Sequence, residues 1–97
     1  MNPIRIELER SGGIAGIVAR GALDTAELPD EDAARIEQAV ARLEAEGGRH
    51  EPRIPDAQRY EFAVTTGGRT RRLVFDDTTL PAEARPLVEM LLRREAD

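Results

Sequence analysis

Two pairs of titratable residues in this chain have the types and spacing for chemistry: His50 beside Glu51, and Asp76 beside Asp77. A histidine next to a carboxylate is the kernel of a general base or of an activated nucleophile. Adjacent carboxylates can divide acid and base roles when their environments differ. Neither pair comes with the rest of a site. The chain has 1 histidine and 0 cysteines, and His50 sits in a stretch flanked by Gly and Pro that builds no pocket. Asp76-Asp77-Thr78-Thr79 reads as turn chemistry that caps a helix. His-x-x-x-His and calcium-loop spacings are absent, and one histidine without cysteines leaves too few ligands for a closed zinc site. We therefore expect no catalytic residues, no metal site and no cofactor: this chain is not an enzyme. Two features suit binding instead. Arg69, Arg71 and Arg72 form a local basic run, able to meet an acidic partner or phosphate, whose ordinary reading is a solvated edge that discourages sheet aggregation. The run Arg10-Ser11-Gly12-Gly13-Ile14-Ala15-Gly16 sets bulky Ile14 among slim residues, a good shape for entering a cleft.

The elements that position these residues are legible from composition and period. A length of 97 residues holds one core, so residues 1–97 are read as a single domain. The 40% hydrophobic content supports that core, and the 3% aromatic content makes it aliphatic. The net charge of -5 disfavours a nucleic-acid binder, which needs a basic face to displace counterions. Every one of the 14 basic residues is Arg, which says more about base composition than about function. No apolar run approaches a membrane span, and Met1–Ile6 lacks a basic segment followed by an apolar one, so no secretory signal is visible and a cytoplasmic protein is expected.

Ile4, Ile6 and Leu8 alternate with Arg5, Glu7 and Glu9, which predicts a half-buried strand over 3–10. Residues 14–23 read as its return strand. With Gly12-Gly13 as a two-residue turn, Leu8 faces Ile17, Ile6 faces Ala19 and Ile4 faces Gly21, all on one face. A longer loop running to Gly16 is the competing reading. A helix follows Leu28-Pro29, with Asp30 as N-cap, Ala33, Ile36, Val40 and Leu43 as the buried stripe, and Gly47-Gly48 as the stop. Residues 49–57 read as a loop. Tyr60, Phe62 and Val64 alternate in a third strand, and a Gly67-Gly68 turn sets Phe62 against Leu73 and Tyr60 against Phe75. Pro81 and Pro86 bracket the start of a last helix whose apolar face is Leu87, Val88, Leu91 and Leu92. The order ββαββα predicts an α+β fold: a four-stranded antiparallel sheet from two hairpins, with both helices on one face. The expected core comprises Ile6, Leu8, Ile17, Ile36, Val40, Phe62, Leu73, Phe75, Leu87 and Leu91. The two halves share a layout, either as an internal structural repeat or as coincidence within a small repertoire of turns.

The run Arg10–Gly16 resembles the Arg-Ser-Gly-Gly-Phe-Ala-Gly hairpin of emfourin, the protealysin inhibitor family. Further matches are Leu23-Asp24-Thr25 with Leu28-Pro29, Arg59-Tyr60-Glu61-Phe62, Gly67-Gly68-Arg69, Leu73-Val74-Phe75-Asp76-Asp77 and Pro86-Leu87-Val88. They come in order along almost the whole chain, and their ordered combination rather than any single motif carries the resemblance. It implies a small bacterial protein that inhibits a thermolysin-like zinc metalloprotease, and we expect a monomer that occludes the active-site cleft. It further implies that Ile14, where the family more often has Phe, enters the pocket such enzymes keep for a bulky apolar residue. Ser11, Gly12, Gly13, Ala15 and Gly16 would then supply backbone hydrogen bonds, as an added peptide strand does. The alternative is a non-inhibitory protein–protein interaction module using the same hairpins.

Overall fold

The structure, a computed structural model, describes residues 3–12, 18–47 and 58–93. Strand β1 spans Ile4–Gly12 and β2 spans Ala19–Asp24; a 3-10 turn at Thr25–Glu27 leads into helix α1, Asp30–Glu46. Strand β3 spans Gln58–Thr66 and β4 spans Arg69–Asp76; a second 3-10 turn at Ala82–Ala84 runs into helix α2, Arg85–Arg93. The strands form one antiparallel sheet in the order β2-β1-β3-β4. This is the expected α+β arrangement, with the order ββαββα.

Strand alternation decides which side chains are buried, because successive residues point to opposite faces. Ile6 and Leu8 on β1, Leu23 on β2, Tyr60, Phe62 and Val64 on β3, and Leu73 and Phe75 on β4 all lie in one core. Phe62 and Phe75 meet edge to face, with centroids 6.1 Å apart at 77°, the geometry their ring quadrupoles favour. Ile36, Val40 and Leu43 from α1 and Leu87, Val88 and Leu91 from α2 close the same core. Of the expected core residues only Ile17 lies outside the described residues. Leu23, Leu43, Tyr60, Val64, Leu80, Ala84 and Val88 join it. The other sheet face is wet, and ion pairs lace it: Arg20 to Glu9 at 3.1 Å and Arg72 to Glu61 at 3.0 Å.

Each helix covers strands of the opposite half. Glu44, near the end of α1, pairs with Arg71 on β4, whereas α2 packs on β2 and β1. The two ββα halves thus meet across the antiparallel β1–β3 seam.

The second hairpin has the expected register: Phe62 opposes Leu73 and Tyr60 opposes Phe75. Gly67 and Gly68 have φ of 57° and 80°, the left-handed pair that a two-residue turn demands. The first hairpin differs. Leu8 opposes Gly21 rather than Ile17, and Ile6 opposes Leu23 rather than Ala19. Gly12 is the last residue of β1, not the first of a turn, so the longer connection is the correct reading. Both registers place the same residues on the same face, because they differ by an even number of positions. Face patterning therefore could not separate them. The observed register sets Leu23 beside Ile6 in the core and Gly21 under α2. A smaller difference concerns α1: Pro29 is its cap, since Ala33 N–H donates to the Pro29 carbonyl at 2.9 Å, and Asp30 is the first helical residue. Its charge still suits the helix's positive end, as do those of Glu31 and Asp32. Gly47, at φ 79°, ends the helix as expected.

Gly21 lets α2 approach. A Cβ there would lie 1.8 Å from the Leu91 carbonyl oxygen, so β2 or α2 would have to move. Gly21→Ala should cost upward of about 2 kcal/mol, as overpacking does. Gly47→Ala, strained in φ but with nothing within 4 Å of its Cβ, should cost about 1 kcal/mol. Leu91→Ala should cost roughly 2–5 kcal/mol, since Leu91 is fully buried. Urea midpoints of the three variants check the ranking; a harmless Gly21→Ala would mean that the helix does not sit against the strand.

Candidate functional site

The connection between β1 and β2 starts from an asymmetric platform. The β1–β2 ladder ends at Arg10 opposite Ala19. The β1–β3 ladder continues two pairs further, with Ser11 opposite Arg59 and Gly12 opposite Gln58. Ser11 and Gly12 thus extend beyond β2 while β3 still braces them. Gly12 leaves the strand at φ 90°, a conformation that a side chain resists. Gly13, Ile14, Ala15 and Gly16 lie outside the described residues, as does His50. On the return side, Val18 is 50% exposed, which is unusual for a large aliphatic side chain among the described residues. The described flanks of the connection are therefore a braced, slim strand end and one outward apolar side chain.

The sheet keeps the two hairpin ends apart. Thr66, at the foot of the second turn, opposes Ile4, and Gln58 opposes Gly12. The 9 residues of β1, rising about 3.3 Å each, put roughly 26 Å between these two ends. The basic run at the second hairpin is also largely occupied: Arg71 pairs with Glu44 and Arg72 with Glu61. Arg69, Arg71 and Arg72 are thus not brought to the Ser11–Gly12 end.

Asp76 and Asp77 do lie at that end, as structural groups. The Asp76 carboxylate accepts from the Thr78 hydroxyl at 2.6 Å and from the backbone N–H of Thr78 at 2.7 Å and of Thr79 at 2.9 Å. The Asp76 N–H donates to the Thr79 hydroxyl at 2.9 Å. Asp77 accepts from the Gln58 N–H at 3.1 Å and from the Tyr60 hydroxyl at 3.0 Å, so it fastens the start of β3 to the end of β4. Burial, reinforced by the hydrogen bond to Asp77, raises the Tyr60 pKa and keeps its hydroxyl a donor. Asp76-Asp77 is turn chemistry as expected, but neither residue caps a helix: Pro81 is the cap of the next 3-10 turn, without a side-chain bond, and the Tyr60–Asp77 tie, whose members are 17 positions apart, has no local signature. Among the described residues, no group of three or more His, Cys, Asp or Glu is placed to hold a metal ion, and no helix is long and apolar enough to cross a membrane.

Among known families, the model described as Emfourin matches the chain over residues 8–92. No curated protein and no solved structure matches the chain.

The Asp76 turn makes this end of the sheet sensitive to acid. The Thr78 hydroxyl, aided by the backbone N–H groups of Thr78 and Thr79 and opposed by burial, holds the Asp76 carboxyl below the usual carboxylate range. A carboxylate whose native pKa is depressed adds stability above its unfolded value, about 3.9, and that stability is lost as pH falls through the native value. Wild-type stability should therefore fall on the acid side of about pH 4. Asp76→Asn should start less stable at neutral pH and show a shallower acid limb. Urea midpoints from neutral to strongly acidic pH check this; parallel acid limbs would refute the role of Asp76.

Proposed function

Because the chain belongs to the Emfourin family, we propose that it is a protein inhibitor of a thermolysin-like zinc metalloprotease, occluding the active-site cleft with the connection between β1 and β2. The family match across 8–92 is the observation that carries this reading. The geometry at the start of the connection supports it. Ser11 and Gly12 reach past β2 on a backbone that β3 holds in place, and a strand end of this kind suits pairing with the substrate-binding strand of a protease. A pre-formed strand loses little conformational freedom on binding.

In this reading Ile14 fills the apolar pocket beside the scissile position, and Gly13, Ala15 and Gly16 keep the backbone slim enough to enter the cleft. Standard protease–inhibitor contacts bury about 1,600 Å² in total, more than one loop supplies. The second hairpin lies at the far end of the sheet, so additional contact area is drawn from residues around Ser11 and Val18 rather than from Arg69. The inhibitor supplies shape and backbone hydrogen bonds and performs no chemistry of its own.

The test is residual peptidase activity of a thermolysin-type protease titrated with the protein. A near-stoichiometric loss is expected; a protein that is inert or digested would instead be a non-inhibitory interaction module. Ile14→Ala should raise the inhibition constant about ten- to a hundredfold, the worth of burying an aliphatic side chain, with the thermal midpoint unchanged. Ile14→Phe and His50→Ala should inhibit like the wild type. An unaltered constant for Ile14→Ala would move the contact elsewhere, and a collapsed midpoint would make Ile14 a core residue.

A further inference from the structure

A small cleft opens on the helix-covered side of the sheet at the same end as Ser11 and Gly12. Its volume is about 170 Å³, and Arg10, Tyr60, Arg85, Val88, Glu89 and Leu92 contribute to its walls. Arg10 is the last β1 residue paired to β2 and lies directly opposite Tyr60 on β3. Arg85 begins α2 and Glu89 lies one turn further along it. Arg10 is half-buried and Arg85 exposed, and neither makes an ion pair with any described residue; the same holds for Arg35, Arg69 and Arg93, whereas Arg5, Arg20, Arg42, Arg59, Arg71 and Arg72 are paired. The hydroxyl of Tyr60, another residue of the cleft wall, is already engaged by Asp77 and Gln58.

We propose that Arg10 and Arg85 form a carboxylate-binding notch at the foot of the β1–β2 connection, and that it receives an acidic side chain from the rim of the inhibited protease's cleft. This rests on the inhibitor reading above and names a second contact for it. Two arginines in the walls of one cleft offer forked donors, the geometry that carboxylates accept best. Apolar walls from Val88 and Leu92 reduce screening within the notch. Of the two acids nearby, Asp77 is held by Tyr60 and Gln58, and Glu89, in the same cleft wall, is ion-paired with neither arginine. An acidic partner group held in this notch would set the orientation of the connection beside it.

The experiment compares wild type, Arg10→Gln, Arg85→Gln and the double variant as inhibitors of a thermolysin-type protease at low and high salt. Each single change should raise the inhibition constant about two- to fivefold, typical of a partly exposed charge pair. The double variant should lose most of the salt dependence that the wild type shows. Folding and placement are read without the protease. Tyr60 is the single tyrosine and there is no tryptophan, so the phenolate absorbance titration reports this cleft alone. Arg10 and Arg85 each draw the Tyr60 pKa down, so both Gln variants should titrate higher than wild type; unfolding would instead return the midpoint to about 10. Unchanged inhibition constants at both salt concentrations, or an unshifted tyrosine midpoint, would overturn the notch while leaving the inhibitor reading intact. A wild-type protein that inhibits nothing would overturn both.

Discussion

β1 and β3 meet antiparallel at the centre of the sheet, with Leu8 opposite Phe62 and Ile6 opposite Val64. All four side chains are essentially removed from solvent. This seam joins the two ββα halves, and each half relies on it to bury its apolar strand face. It also dictates where the helices go. α1 ends over β4, where Glu44 meets Arg71, and α2 lies on β2, where Leu91 meets Gly21. Neither half has a core of its own, so the folded unit is the pair.

The same seam distributes the functional surface. Because β1 and β3 run in opposite directions, the two hairpin ends point to opposite poles of the sheet. One pole carries Gly67-Gly68 and a basic run tied to acids of the same chain. The other gathers the β1–β2 connection, the start of β3, the Asp76–Asp77 turn and the start of α2. Tyr60 links three of these: it opposes Arg10 on β1, opposes Phe75 on β4 and donates to Asp77. An acidic turn, a buried hydroxyl and two arginines without acid partners among the described residues thus stand within one patch, beside the strand end on which the proposed inhibitory contact is built.

Much of this was legible from residue order alone. The alternation of Ile4, Ile6 and Leu8, and of Tyr60, Phe62 and Val64, assigns strands and their buried faces with no tertiary input. Gly67-Gly68 fixes the second hairpin, because two adjacent left-handed positions leave one short turn and one register. The Gly12-Gly13 pair does not do the same. Gly12 serves as the exit of a longer strand, and apolar pairing alone cannot choose between registers of equal parity. The family resemblance was likewise readable from ordered motifs, since each reflects turn and strand positions that the fold requires.

Sequence by itself thus determined the element order, the inward faces, the second hairpin register and the family, because these depend on period, turn chemistry and local motifs. The tertiary structure alone decided the first hairpin register, the crossing of each helix onto the other half, the need for Gly21 and the gathering of Arg10, Tyr60, Asp77 and Arg85. Those outcomes depend on contacts between residues far apart in the chain. Gly21 and Leu91 belong to different halves, as do Arg10 and Tyr60, and no local pattern records that a carbonyl of one helix will come to rest where a Cβ would otherwise stand.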